Sequence, residues 1–236
     1  MMGMFGDWER LRLKGSARNY LLLIKFIPLV TIFIVFDNTH VMSFEKKEKV
    51  KIGVSACLLG TKCNFNGTDL LSPFIKELEA QGQIEFIAFC PEDSVFQTPR
   101  PNLRITNGDG FDVLDGRASV INELGQNVTS VQIEGAKQFL NYLKKEKIKY
   151  AILMDGSPSC GSNVLLKEEN WPRGGFKRGV GVSTALLKRN EIIVLSSFDE
   201  RLISHFLKSV VENFNPKQDL RDLRDLAKFK PLFEES

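Results

Sequence analysis

Four cysteines and one glutamate are the residues of this 236-residue chain best suited to chemistry. Cys57, Cys63, Cys90 and Cys160 stand in the loop-like contexts VSACLLG, CNFNG, CPED and SPSCGS, rich in glycine, serine, asparagine and proline. Thiolates favour soft transition metals, and loop amides can hydrogen-bond the sulfurs that hold iron or zinc. Five residues separate Cys57 from Cys63, loose for a zinc knuckle, whose ligands usually include a closely spaced pair. On the residues alone three readings stand: a structural zinc site, three thiolates around iron with an open fourth position, and ordinary half-buried core cysteines. Four cysteines are too few for a dense disulfide scaffold in a chain of this length, so a reducing, cytoplasmic compartment is expected.

Glu92 lies two positions beyond Cys90. If buried it can act as a general acid or base; the plainer role is to accept amides at the start of a turn or helix. Ser157, Ser159 and Ser162 flank Cys160 and either satisfy backbone donors in a capped turn or help to position a substrate. Arg100, in TPRP, suits a bidentate grip on an anion or a structural ion pair. Asp109, Asp112 and Asp115 read as a solvated glycine-rich loop rather than a calcium site, and His205 reads as an isolated helical histidine. No P-loop or GxGxxG spacing occurs, and RGGFKRG is only a weak anion nest, so nucleotide chemistry is not expected.

The elements that must position these residues alternate. Apolar runs at residues 52–56, 85–90, 150–154 and 191–195 read as strands. Helical stripes fall at Leu70, Leu71, Phe74, Ile75 and Leu78; at Ile133, Ala136, Phe139, Leu140 and Leu143; and over 182–188. Residues 107–116 read as a loop and 117–121 as a further short strand. Thr129 with Gln132, and Ser197 with Glu200, have capping-box spacing. The order predicts an α/β fold: a small, mostly parallel sheet with helices on both faces, in three layers. In such sheets ligands bind beyond the strand carboxyl ends, where Cys57, Cys90 and Cys160 all fall.

Residues 1–49 differ from this domain. Tyr20–Phe36 is almost unbroken apolar sequence after Arg10, Arg12, Lys14 and Arg18. It reads as a signal anchor, as an apolar helix packed on the domain, or as translation from an upstream start, with Met42 as the working initiator. Membrane contact is expected only in the first case. Residues 50–197 form the expected α/β domain. Residues 198–236 form an amphipathic helix, with a stripe at Leu202, Ile203, Phe206, Leu207, Val210 and Val211, and a charged tail without chemistry. A net charge of +3, from 32 basic and 29 acidic residues, gives no general polyanion-binding surface, and no nucleic-acid partner is expected.

The ordered set VSACLLG, CNFNG, CPE, TPRP, DVLDG, SPSCGS and GVGVSTALL resembles the family, first described as a domain of unknown function, that includes 2-thiouracil desulfidase. The resemblance spans about residues 51–197. It implies a [4Fe-4S] cluster held by Cys57, Cys90 and Cys160 with one iron open, Cys63 nearby as a non-ligand, Glu92 as the acid–base residue and Ser157 as the leading substrate-positioning serine. It implies a small thiolated heterocycle as substrate and a hydrolase-type, non-redox reaction. Sulfur binds the open iron, water attacks the thiocarbonyl carbon, and hydrogen sulfide leaves. The alternatives are a sulfur-transfer enzyme acting on another substrate and a non-enzymatic metal-binding module. The chain departs from the family pattern at Asp93–Phe96 and at Asp155–Gly156, which bears on the substrate wall more than on the ligands.

Overall fold

The computed structural model describes residues 8–15, 18–27, 30–37 and 40–44 by their backbone, and residues 48–168 and 175–234 with their side chains. The chain divides into two compact units, Met1–Glu48 and Lys49–Ser236.

In the first unit, β1 (Trp8–Gly15), β2 (Arg18–Ile27), β3 (Val30–Asp37) and β4 (His40–Phe44) form an antiparallel meander in that order. The apolar run 20–36, expected as one helix in the anchor and packed readings, is therefore two paired strands, with Leu21 opposite Phe36 and Ile27 opposite Val30. The reason is legible in hindsight: Val30–Phe36 is β-branched or aromatic at every position, a composition that favours strands over helices. Pro28 itself lies outside the described residues. Among those described, no helix is long and apolar enough to cross a membrane.

The second unit is a mixed α/β domain. Its strands β5 (Val50–Ser55) and β6 (Ile84–Phe89) are linked by α1 (Pro73–Ala80). After α2 (Asp93–Phe96), β7 (Leu103–Thr106), α3 (Gly110–Leu114) and β8 (Ser119–Asn122) come α4 (Thr129–Lys145) and β9 (Tyr150–Leu153). The chain closes with β10 (Val164–Leu166), β11 (Phe176–Arg178), α5 (Val182–Arg189), β12 (Ile193–Ser196), α6 (Glu200–Val210) and α7 (Pro231–Glu234). The main sheet has the order β12-β9-β5-β6 and is parallel throughout.

Alternation along the strands gives the sheet two buried faces. Ile52, Val54 and Ile152 pack with Phe74, Ile75 and Leu78 of α1 and with Ile203 and Leu207 of α6. Ala151 and Leu153 point the other way, onto Phe139, Leu140 and Leu143 of α4 and Leu187 of α5. The expected three layers are therefore present. Gly53 lets α4 lie close: a Cβ there would stand 2.7 Å from a Leu143 methyl.

Several local expectations are corrected. Ser72 caps α1 by accepting the Ile75 N–H, and Pro73 occupies its first turn, so Leu70 and Leu71 precede the helix and are exposed. The strand expected at 117–121 is β8, which pairs antiparallel with β7 in a separate ribbon and not in the main sheet. The expected loop 107–116 contains α3, capped reciprocally by Asp109 and Asp112, while Asp115 pairs with Arg117 and Arg189. Neither distant capping box forms. Thr129 Oγ1 accepts the Val120 N–H and donates to Asn127, leaving the buried Gln132 amide without a hydrogen-bond partner among the described residues. Asp199, not Ser197, caps α6, and Leu202 is exposed on it. His205 is exposed, as read.

The chain order β5, β6, then β9 on the opposite side of β5 makes a topological switch between β5 and β9. That is where an open parallel sheet leaves a crevice at its carboxyl edge.

Candidate functional site

Each cysteine is delivered to that edge by a different device. Beyond Ser55 the chain makes a single 3-10 turn, Ala56–Leu59, ended by Gly60 in the left-handed region at φ 92°. Cys57 lies within this turn, and its carbonyl accepts the N–H groups of Gly60 and Leu70. Cys63 follows, buried, in a loop closed by the Gly67-to-Asn64 and Asn64-to-Thr68 backbone bonds. Cys90 directly follows β6; its sulfur receives the Asp93 N–H at 3.4 Å as α2 begins, and its thiol faces the Cys63 carbonyl.

Cys160 has the most elaborate mount. Asp155 Oδ1 accepts the backbone N–H groups of Ser162, Asn163 and Val164, pinning the loop beyond β9, while Asp155 Oδ2 accepts the Ser196 hydroxyl. From the other side the first turn of α5, whose N–H groups have no partners within their own helix, donates to this loop: Val182 N–H to Pro158 O, and Ser183 and Thr184 N–H to Ser159 O. Thr184 Oγ1 adds a bond to the Cys160 carbonyl. The approach is so close that a Cβ on Gly181 would lie 2.3 Å from the Ser159 carbonyl oxygen. The GVGVST stretch is thus the seat of the Cys160 loop. Asp155, read from sequence only as a departure from the family pattern, is its clamp.

All four cysteines are free and line one cavity of about 60 Å³ together with Ser55, Glu92, Arg100 and Ser157. Their thiols are close enough to perturb one another. Cys63 is pushed up to about 12, first by its hydrogen bond with the Cys57 thiol, with burial acting the same way and the Cys90 contact opposing. Cys90 is also raised, first by its hydrogen bond with Cys63 and then by burial. Cys160 is raised by burial first and by the charge of Cys90 next, against the Ser55 and Ser159 hydroxyls. Crowded thiols disfavour thiolates unless a cation stands among them; a bound metal reverses that preference and releases the protons. The donor set therefore fits a thiophilic metal group. Among the described residues no three histidine, cysteine or carboxylate side chains are disposed to hold a metal ion. All four cysteines nevertheless border the same cavity.

Glu92 and Ser157 occupy the cavity wall. Glu92 is 8% exposed, and its Oε2 receives both Arg100 Nε, at 3.1 Å, and Nη2, at 2.8 Å. The Ser157 hydroxyl donates to Glu92 Oε1 at 3.1 Å, and Ser157 Oγ accepts the N–H groups of Ser159 and Cys160. Ser157 is therefore both the turn cap and a partner of the carboxylate. Ser159 and Ser162 are buried in other bonds, to Ser183 and to the Cys160 and Leu195 carbonyls. Arg100 resolves as an ion pair inside the site; it also bonds the Cys63 carbonyl and Thr98, joining three loops.

Beyond Glu92 and Ser157 opens a second pocket of about 250 Å³. It shares Asn64, Leu70, Met154, Glu92 and Ser157 with the cysteine cavity and adds Phe65, Phe176, Phe198 and Lys228. Sequence reasoning did not find Phe176, Phe198 or Lys228, and the tail that carries Lys228 was read as lacking chemistry. No motif marks them.

Comparison with known proteins places this geometry among relatives. The model of the 2-thiouracil desulfurase family matches residues 52–199. The uncharacterised protein YbbK of Bacillus subtilis (strain 168) is 38% identical over 145 residues, 61% of this chain and 93% of YbbK. A solved structure described as the [4Fe-4S]-dependent thiouracil desulfidase TudS is similar with a TM-score of 0.56 and 34% identity, across 69% of this chain and all of that one.

Proposed function

The chain belongs to the 2-thiouracil desulfurase family, and from that premise we propose that it hydrolyses the C–S bond of a thiolated pyrimidine such as 2-thiouracil, releasing sulfide. One observation carries the reading: thiols from three strand ends line a single cavity, and a buried Glu92–Ser157 pair stands where that cavity meets a pocket fit for a ring. A [4Fe-4S] cluster, the cofactor in the description of the TudS structure, would be held by Cys57, Cys90 and Cys160, leaving one iron without a protein ligand. When bound, it supplies a soft Lewis acid for the substrate sulfur. The loose spacing of Cys57 and Cys63, without the closely spaced ligand pair usual in structural zinc sites, supports this over a zinc ion.

The chain's own residues handle the proton. A carboxylate offers about four lone-pair positions. Arg100 takes two at Oε2 and Ser157 one at Oε1, so the remaining acceptor position is at Oε1, beside the shared wall. A water held there gives its proton to Glu92 as its oxygen attacks the thiocarbonyl carbon. The C–S bond breaks, Glu92 returns that proton to the departing sulfur, the water oxygen becomes the ring carbonyl and, with the second water proton, the sulfur leaves as hydrogen sulfide, with no net oxidation or reduction. The Arg100 pair fixes the carboxylate plane, and Ser157 ties it to the loop that carries Cys160. Four unpaired thiols suit a reducing, cytoplasmic setting.

Anaerobic purification tests the reading. Iron and acid-labile sulfide are expected in equal amounts, with sulfide released from 2-thiouracil. Alanine at Cys57, Cys90 or Cys160 should abolish iron loading, and alanine at Cys63 should leave most of it. Zinc in place of iron, or a full cluster after Cys90→Ala, would overturn the proposal.

A further inference from the structure

The second pocket contains a cation that the proposed chemistry does not use. Lys228 reaches it from the C-terminal segment, well beyond residue 199, where the family match ends. The segment is firmly seated: Phe229 is fully buried against Val164 and Leu223, and the Arg221–Glu200 ion pair and the Arg201 N–H to Arg221 O bond tie it to α6. The Lys228 ammonium lies 4.3 Å from the ring centroid of Phe198, 4.6 Å from that of Phe229 and 5.6 Å from that of Phe176. Three rings thus position the ammonium, and among the described residues none of its three N–H donors makes a hydrogen bond.

No carboxylate among the described residues forms an ion pair with Lys228. The acidic group whose field reaches it is Asp155, and that carboxylate is committed to three backbone N–H groups and the Ser196 hydroxyl. Although the residue is exposed at the surface, burial of its tip pushes its pKa down. A partly desolvated ammonium at a pocket wall, without a hydrogen-bond acceptor among the described residues, gains from an electron-rich oxygen. At about 250 Å³ the pocket lies near the lower end of the roughly 300–1,000 Å³ typical of small-molecule sites, and its phenylalanine, leucine and methionine lining suits one flat ring.

We infer that Lys228 is a substrate-binding and specificity-determining residue, donating to a ring oxygen of a single-ring thiolated heterocycle whose sulfur is directed toward the cysteine cavity. The inference rests on the proposed desulfuration for the identity of the ring. It makes the C-terminal segment a wall of the site. A thione that also carries a carbonyl oxygen on its ring is then preferred over one that lacks it.

The test uses the full chain with its cluster reconstituted anaerobically, as wild type, Lys228→Met, which keeps an unbranched apolar stem, and Lys228→Arg, which keeps the charge. The ligands are 2-thiouracil and pyrimidine-2-thione, which lacks the ring carbonyl oxygen. Wild type should favour 2-thiouracil by roughly 10–100-fold, the scale of a charged hydrogen bond. Lys228→Met should raise KM for 2-thiouracil by that factor with kcat within a few-fold, leave pyrimidine-2-thione unchanged, and so erase the preference; Lys228→Arg should keep most of it. Equal losses for both ligands, or no change in either, would overturn the inference. If the wild type releases no sulfide from either ligand, the desulfuration reading fails on its own. The same comparison is then made by calorimetric Kd, where loss of discrimination in Lys228→Met supports the binding role and retained discrimination refutes it.

Discussion

The described residues around the cysteine cavity lie between Ser55 and Cys160, at the ends of three adjacent parallel strands, on the loops that leave them and in the TPRP turn, and backbone hydrogen bonds hold many of them. The neighbouring pocket borrows that wall but closes it with Phe176 of β11, Phe198 beyond β12 and Lys228 of the C-terminal segment, held mainly by ring packing in a separate small core. Directional bonds fix atoms to within tenths of an ångström, which a metal group and a proton-transfer residue require. Ring packing tolerates exchange of one apolar side chain for another. On the proposed function the difference separates two roles: chemistry at the hydrogen-bonded strand ends, and choice of substrate at the later, ring-packed wall.

The largest expected effect falls on the boundary between the two regions. Glu92→Gln keeps size and most hydrogen bonds but cannot take a proton. Sulfide release from 2-thiouracil is expected to fall by roughly 10²–10⁴-fold while iron content stays full. Unchanged turnover with a full cluster would remove Glu92 from the chemistry, and parallel loss of iron and activity would make it part of the scaffold.

A smaller effect sharpens the claim that backbone contacts hold the cysteine side. At Gly181 a Cβ would meet the Ser159 carbonyl, whereas at Gly175 it would meet nothing within 4 Å. Gly181→Ala should therefore cost roughly 1–3 kcal/mol, lowering Tm by roughly 2–4 °C per kcal/mol for a chain of this size, with iron loading falling in step because the Cys160 loop moves. Gly175→Ala is the control and should change neither. Equal behaviour of the two, followed by thermal melts and iron analysis, would break the contrast.

The smallest effect concerns the N-terminal unit. We propose that residues 49–236 fold alone, since the chain divides between Glu48 and Lys49 and, among the described residues, those that line both pockets belong to the second unit. Removing residues 1–48 should leave the Tm of the remaining domain within about 1 °C, a stability change of under roughly 0.5 kcal/mol, and sulfide release unaltered. A truncated chain that melts early or aggregates would show that the meander contributes to the fold.

The reading from residues was accurate where one physical rule governed. Period-two and period-3.6 patterns gave the four strands of the main sheet and the helices α4 and α5, because both faces of a parallel sheet must be buried. The same rule places Cys57, Cys90 and Cys160 at one edge, because each follows the carboxyl end of a parallel strand. It failed where two elements offered similar burial. In 20–36, length suggested a helix, and the β-branched composition that favours strands was underweighted. At Leu70 and Leu71, apolar character suggested a helical face, but Ser72 and Pro73 start the helix later. At Thr129 and Ser197, spacing suggested caps, yet other partners took those hydroxyls.

The sequence by itself determined the donors, their chemical softness and their place at the strand ends, since these depend on residue type and local periodicity. Tertiary structure alone decided that Arg100 spends its charge on Glu92, that Ser157 joins that carboxylate to the Cys160 loop, and that a lysine near the end of the chain reaches a pocket begun at Asn64. Those contacts join positions from 8 to more than 160 residues apart in sequence. No local pattern encodes such pairs, because what brings them together is the burial of Phe229 and the packing of helices on the sheet, a property of the whole folded chain.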